Sequence, residues 1–145
     1  FIESNGISGT VESISILYTR LLTADNKAVY IPNGQVSGSK IINFTQEKFR
    51  RLDLNFGISY SNNHEKVIAI IKKIIQNNSL ALSDPAPLIR VGEQATNCMI
   101  IVVRVWVASE NYLNLNFDLL EQVKTAFDEN EIEIPNSQLS IHIDK

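Results

Sequence analysis

Between Val11 and Tyr18 the apolar positions change phase. Val11 is odd-numbered, whereas Ile14, Ile16 and Tyr18 are even-numbered. Side chains of a strand alternate faces with a period of two, so a slip of one residue sends every later side chain to the other face. Such a stretch needs a bulge or a sharp bend. Strongly bent short strands belong to small barrels, which close and so remove their edges. Gly9 to Asn43 is therefore expected to be β-structure, and the β-rich unit to cover Phe1 to Phe44. Asp25-Asn26 suits a hairpin turn, since both residues tolerate the left-handed region. Ile31-Pro32-Asn33-Gly34 reads as a tight turn, with Pro32 ending a strand because it lacks a ladder donor. Gln35 to Ser39 has room for one helical turn, and Ile41 to Asn43 for a last short strand.

Thr45 to Arg51 is polar and marks a boundary. Beyond it Leu52, Leu54, Phe56, Ile58 and Tyr60 alternate without a break, as in a half-buried strand. Asn62 is the expected N-cap of the next helix, with Glu65 as capping-box partner. That helix places Val67, Ile71, Ile74 and Ile75 on one face and stops at Asn77-Asn78. Leu80 to Pro87 is a loop, Leu88 to Val91 a short strand, and Gly92 to Asn97 a turn region. Met99, Ile101, Val103, Val105 and Val107 form one apolar strand face. Leu113, Phe117, Leu120, Val123 and Phe127 suggest a second amphipathic helix, and Leu139, Ile141 and Ile143 a final strand. The order from Leu52 is β-α-β-β-α-β, the ferredoxin-like arrangement with helices on one face of an antiparallel sheet.

Several function classes are disfavoured. The chain has 145 residues and a 44% hydrophobic fraction, enough for one ordinary or two small packed domains. A net charge of −3 argues against nucleic acid, whose binders carry basic patches. The single cysteine, Cys98, excludes an intrachain disulfide and a multi-cysteine metal cluster. The longest apolar run, Cys98 to Val103, falls far short of the roughly 20 residues that span a bilayer. The start at Phe1, inside a β-pattern, suggests a fragment.

No catalytic, cofactor-binding or metal-binding set can be assembled, so the chain is not read as an enzyme. His64 suits a solvated first helical turn. His142 and Asp144 are too few ligands for a structural metal site. Cys98 lacks any neighbour in sequence that would lower its pKa and reads as a buried structural residue. Arg104 and Trp106 share the strand face opposite the valines. They suit either a protein interface, where both types are enriched, or an ordinary covered sheet face. Arg50-Arg51 reads as part of a solvated linker. Pro32-Asn33-Gly34 lacks the glycine spacing and lysine of a phosphate loop.

The first stretch resembles the β-domain of the small-conductance mechanosensitive channel (MscS) family. The matching residues are Gly9, Val11, Ile14, Thr19, Leu21, Thr23 and Asp25, then Ile31-Pro32-Asn33 six residues after Asp25, then Ile42-Asn43. The resemblance continues to the C-terminus. It implies an Sm-like small β-barrel over 1–47, a ferredoxin-like α/β-domain over 48–134, and a strand of an intersubunit β-barrel over 135–145. It also implies a homoheptameric cage below membrane helices that precede this chain, on the cytoplasmic side of the inner membrane. The implied function is the solute-admitting vestibule of a channel that opens under tension during hypo-osmotic shock, with no cofactor. Arg50-Arg51 would then lie near the side openings. Two departures stand out. The family often ends its last helix with glycine, where this chain has Asn130-Glu131. The family also favours an aromatic and a second proline where Asn136-Ser137 follows Ile134-Pro135. The alternative function is a small-ligand or RNA-binding module on the same pair of folds.

Overall fold

The structure, a computed structural model, describes residues 1–135. The expected strand at Leu139, Ile141 and Ile143, with His142 and Asp144, lies outside the described residues. The chain divides into two compact units, Phe1–Lys48 and Phe49–Lys145.

The first unit contains β1 (Ile2–Ser4), β2 (Ile7–Ile14), β3 (Tyr18–Leu22), β4 (Ala28–Pro32), α1 (Asn33–Gly38) and β5 (Ile41–Asn43). Its sheet order is β4-β3-β2-β1-β5. The phase change in the sequence is a real irregularity, because the β2–β3 register shifts between Val11 and Ser13. β2 also changes partners along its length. Ile7 to Gly9 pair with β1, and Thr10 to Ile14 pair with β3. Gly9 sits at that handover, where a Cβ would lie 2.8 Å from the Leu22 carbonyl oxygen. Close approach of two backbones is what reserves the position for glycine. The ladder does not close on itself among the described residues, since β4 and β5 are its edges.

Two sequence expectations for this unit need correction, and one hairpin was not expected. Ile16 is not a strand residue but part of the loop between β2 and β3. Ile31-Pro32-Asn33-Gly34 is not a tight turn, because Pro32 caps α1, which starts at Asn33 rather than Gln35. Asn5-Gly6 makes a two-residue β1–β2 hairpin that the sequence reading passed over. Both residues have positive φ, 52° and 78°, as a type I′ turn requires. The unit's buried core is small: Ile2, Leu21 and Ile31, with Val29 and Val36 packed against them.

The second unit runs β6 (Phe49–Ile58), α2 (His64–Asn77), β7 (Leu88–Gln94), β8 (Met99–Ala108), a short 3-10 turn and α3 (Tyr112–Glu129). The sheet order is β6-β8-β7, with antiparallel pairs. Met99, Ile101, Val103, Val105 and Val107 are buried, as their alternation predicts. They pack with Val67, Ile71 and Ile75 of α2 and with Leu115, Leu119, Val123 and Phe127 of α3. β7 runs past Val91 to Gln94 because a register shift at Val91/Glu93 takes up Gly92.

Here too the structure corrects the reading. β6 begins at Phe49, so Arg50 and Arg51 are strand residues and not a solvated linker. The Arg50 guanidinium stacks 3.7 Å from the Tyr112 ring centroid, a desolvating contact that a linker would not supply. The N-cap of α2 is Asn63, whose side chain accepts from the Glu65 N–H at 3.0 Å. Asn62 instead binds the segment after α3, donating to the Glu133 carbonyl (2.8 Å) and accepting from the Glu133 N–H (3.1 Å). The buried face of α3 is Leu115-Leu119-Val123-Phe127, whereas Leu113, Phe117 and Leu120 are exposed. Cys98 is partly exposed rather than buried.

Candidate functional site

The residues that carry the sequence motif converge on one loop. Thr19 is buried in β3 and donates to Asn33 Oδ1 at 2.7 Å. The Asn33 amide in turn donates to the Ser15 and Ile16 carbonyls at 2.8 and 3.0 Å. The Asn33 backbone N–H donates to the Leu17 carbonyl at 2.9 Å. Asn33 therefore clamps three successive residues of the β2–β3 loop, and its position after Pro32 sets the clamp's reach. The clamped loop presents Ile16 and Leu17 to solvent at 94% and 69% exposure. Ile14, Tyr18 and Tyr30 are exposed beside it in the sequence of pairings. Ile14, Ile16, Leu17 and Tyr18 thus gather exposed apolar side chains in one short segment.

The second part of the motif builds the β3–β4 turn. Thr23 donates to Asp25 Oδ1 at 2.6 Å and accepts from the Lys27 N–H at 2.8 Å. Lys27 Nζ also lies 2.9 Å from Asp25. The Thr23 hydroxyl, and then Lys27, hold the Asp25 carboxyl below its ordinary pKa. Asn26 takes the left-handed conformation, φ 66°, as expected of the turn.

In the second unit the strand face opposite the helices is charged. Trp106 lies across from Arg51, and Arg104 lies between Asp53 on β6 and Leu88 on β7. Arg51 and Asp53 form a bidentate pair, 2.7 and 3.0 Å. The structure thus places Arg104 and Trp106 on one face, as expected, and adds Arg51, which the sequence reading assigned to a linker. The apolar alternation gave no signal for Arg51, since going back from Leu52 it meets the charged Arg50 and Phe49 falls in the opposite phase. His64 is the exposed first residue of α2. Among the described residues no group of three metal-binding side chains occurs, and no helix is long and apolar enough to cross a membrane.

Both units match known families. Residues 1–46 match the model described as "Mechanosensitive ion channel, beta-domain", and residues 52–134 match "Mechanosensitive ion channel MscS, C-terminal". The small-conductance mechanosensitive channel of Edwardsiella ictaluri is 36% identical over 98% of this chain and 50% of its own length. An MscS family protein of Synechocystis is 40% identical over 98% of this chain and 48% of its own length. The chain thus spans about half the length of the curated relatives it matches. The closed-state crystal structure of Helicobacter pylori MscS superposes with a TM-score of 0.92 at 30% identity, covering 99% of this chain and 57% of that one. Arabidopsis thaliana MSL1 shares the fold, with a TM-score of 0.76 at 16% identity. Two adjoining family matches and a structural match across both units lead to one conclusion: this chain belongs to the MscS family of mechanosensitive ion channels.

Proposed function

We propose that this chain is the cytosolic vestibule of a mechanosensitive channel that opens under membrane tension and releases ions and small solutes during hypo-osmotic shock. The superposition on Helicobacter pylori MscS across both units carries this reading. The first unit acts as an Sm-like domain beneath the membrane helices of the parent protein, and the second as a ferredoxin-like domain. Residues 135–145 supply a strand to an intersubunit barrel, and the assembly is a homoheptamer on the cytoplasmic face of the inner membrane.

Physical features support an assembly. β4 and β5 are open edges at opposite ends of one sheet. Unpaired edges invite pairing with another chain. Edges of opposite location allow head-to-tail contacts, which close into a ring when the rotation fits. The three-residue core of the first unit leaves apolar surface for such neighbours. Tension would then shift a population between closed and open forms of the whole channel.

The test joins this chain to the membrane half of the Edwardsiella ictaluri channel and expresses the product in bacteria lacking their own tension-gated channels. Survival of a sudden osmotic downshift, at expression matched to the parent channel, is the expected result. Membrane-inserted protein without any rescue would refute the reading.

A further inference from the structure

Between α2 and the Leu80–Pro87 loop lies a cavity of about 480 Å³. That volume is within the range of small-molecule sites, which are mostly apolar with a few placed polar groups. Ile68 and Ile75 come from α2, Leu82 and Pro87 from the loop, and Ile89 from β7. The first residues of the loop are held in place within the chain. Asn78 Oδ1 accepts from the Leu80 N–H at 2.9 Å, and the Leu82 N–H donates to the Trp106 carbonyl at 2.9 Å. A preformed wall lowers the ordering cost of binding.

The polar groups of the cavity are selective. Ile68, Lys72 and Ile75-Gln76 recur at helical spacing, so a cation sits in the middle of an apolar stripe. Lys72 takes part in none of the ion pairs among the described residues. Among the described residues no acidic side chain lines the cavity, and Gln76 and Ser83 add neutral hydrogen-bonding groups. A lone lysine offers one point charge rather than a many-donor cradle, and the helix N–H groups that would add donors for a phosphate are remote. Lys72 is eight residues into α2 from His64, about 12 Å from that end along the axis.

We propose that this cavity binds a small amphiphilic carboxylate. The apolar body lies between Ile75, Leu82 and Ile89. The carboxylate pairs with Lys72, with Gln76 and Ser83 as neutral donors. Nothing in the channel reading requires the site, so binding is an addition to it.

Titrating octanoate into the 15N-labelled 145-residue chain tests this, with octylamine and octanol as controls. Saturable shifts centred on Ile68, Ile75, Leu82 and Ile89 are expected for octanoate, and weaker ones for both controls. Lys72→Gln should weaken octanoate about tenfold, as loss of a charge-assisted hydrogen bond does. Ala86→Trp, on the exposed loop, should block binding while leaving shifts elsewhere native. The proposal is overturned if octylamine binds as well as octanoate, or if Lys72→Gln changes nothing. It is equally overturned if the shifts centre on the Ile14–Tyr18 region, or if self-association of the chain buries these residues and excludes octanoate.

Discussion

Glu131 ends α3 in the left-handed conformation, with φ of 56°. The Ile132 N–H donates to the Phe127 carbonyl at 2.8 Å, and the Glu131 N–H to the Asp128 carbonyl at 3.4 Å. This pair of bonds is a Schellman motif, and the buried contact of Ile132 with the end of the helix accompanies it. A side chain in that conformation costs about 1–2 kcal/mol, part of which glycine returns in unfolded-state entropy. Glu131→Gly should therefore stabilise the chain by up to about 1 kcal/mol, read as a higher urea midpoint at unchanged slope. Gly9→Ala should do the reverse. Its Cβ would meet the Leu22 carbonyl oxygen, and the clash should cost about 1–3 kcal/mol in the same assay. The Asp25 carboxyl has its folded pKa lowered, by Thr23 first and Lys27 second. The turn's contribution is thus present above the unfolded pKa, near 3.9, and lost as pH falls through the folded value. Thr23→Val should raise the Asp25 pKa toward the ordinary value in a carboxyl NMR titration. An unchanged titration would show that the hydroxyl is not the cause. At this scale the sequence was legible where backbone geometry demands a residue type. Asp25-Asn26 announced its turn. Asn130-Glu131 stands where the family often has a helix-ending glycine, and it is Glu131 that takes the left-handed conformation, because the cap position depends on where the helix stops. Asn33's clamp was hidden, since its partners lie on a loop 16 to 18 residues earlier in the chain.

Elements were read best where one apolar stripe dominates. β8 has a single unbroken alternation, and α2 has Val67, Ile71 and Ile75 on one face, so both were assigned correctly. α3 carries two stripes. Leu115, Leu119, Val123 and Phe127 are spaced four apart and buried, while Leu113, Phe117 and Leu120 lie on another side at 63%, 56% and 43% exposure. Hydrophobicity alone does not rank two such stripes, because apolar side chains are common on protein surfaces as well as in cores. The adjacent pair Leu119 and Leu120 separates them. Leu119→Ala should cost about 2–5 kcal/mol through a buried cavity, and Leu120→Ala within about 0.5 kcal/mol. Comparable losses at both positions would contradict the helix phase. Tandem asparagines produced the other error. Asn62 and Asn63 both suit an N-cap, and the choice was decided by Glu133, 71 residues away, which holds Asn62.

For the whole molecule, the order of strands and helices from Phe49 to Glu129 was open to inspection, because each element there has its own period. The arrangement of edges was not. A bent β2 suggested a closed barrel, whereas the ladder leaves β4 and β5 open among the described residues. Open edges offer pairing sites to another chain that a closed barrel lacks. Light scattering across a dilution series should accordingly show the mass of seven chains wherever the interfaces of this portion suffice for assembly. Service in a tension-gated channel, as proposed for this chain, is read most directly as current. The chain joined to the membrane half of the Edwardsiella ictaluri channel would be recorded in excised membrane patches under graded suction. Discrete conductance steps whose open probability rises with tension are the expected result. Correctly inserted, assembled protein that stays silent up to the rupture of the patch would contradict it.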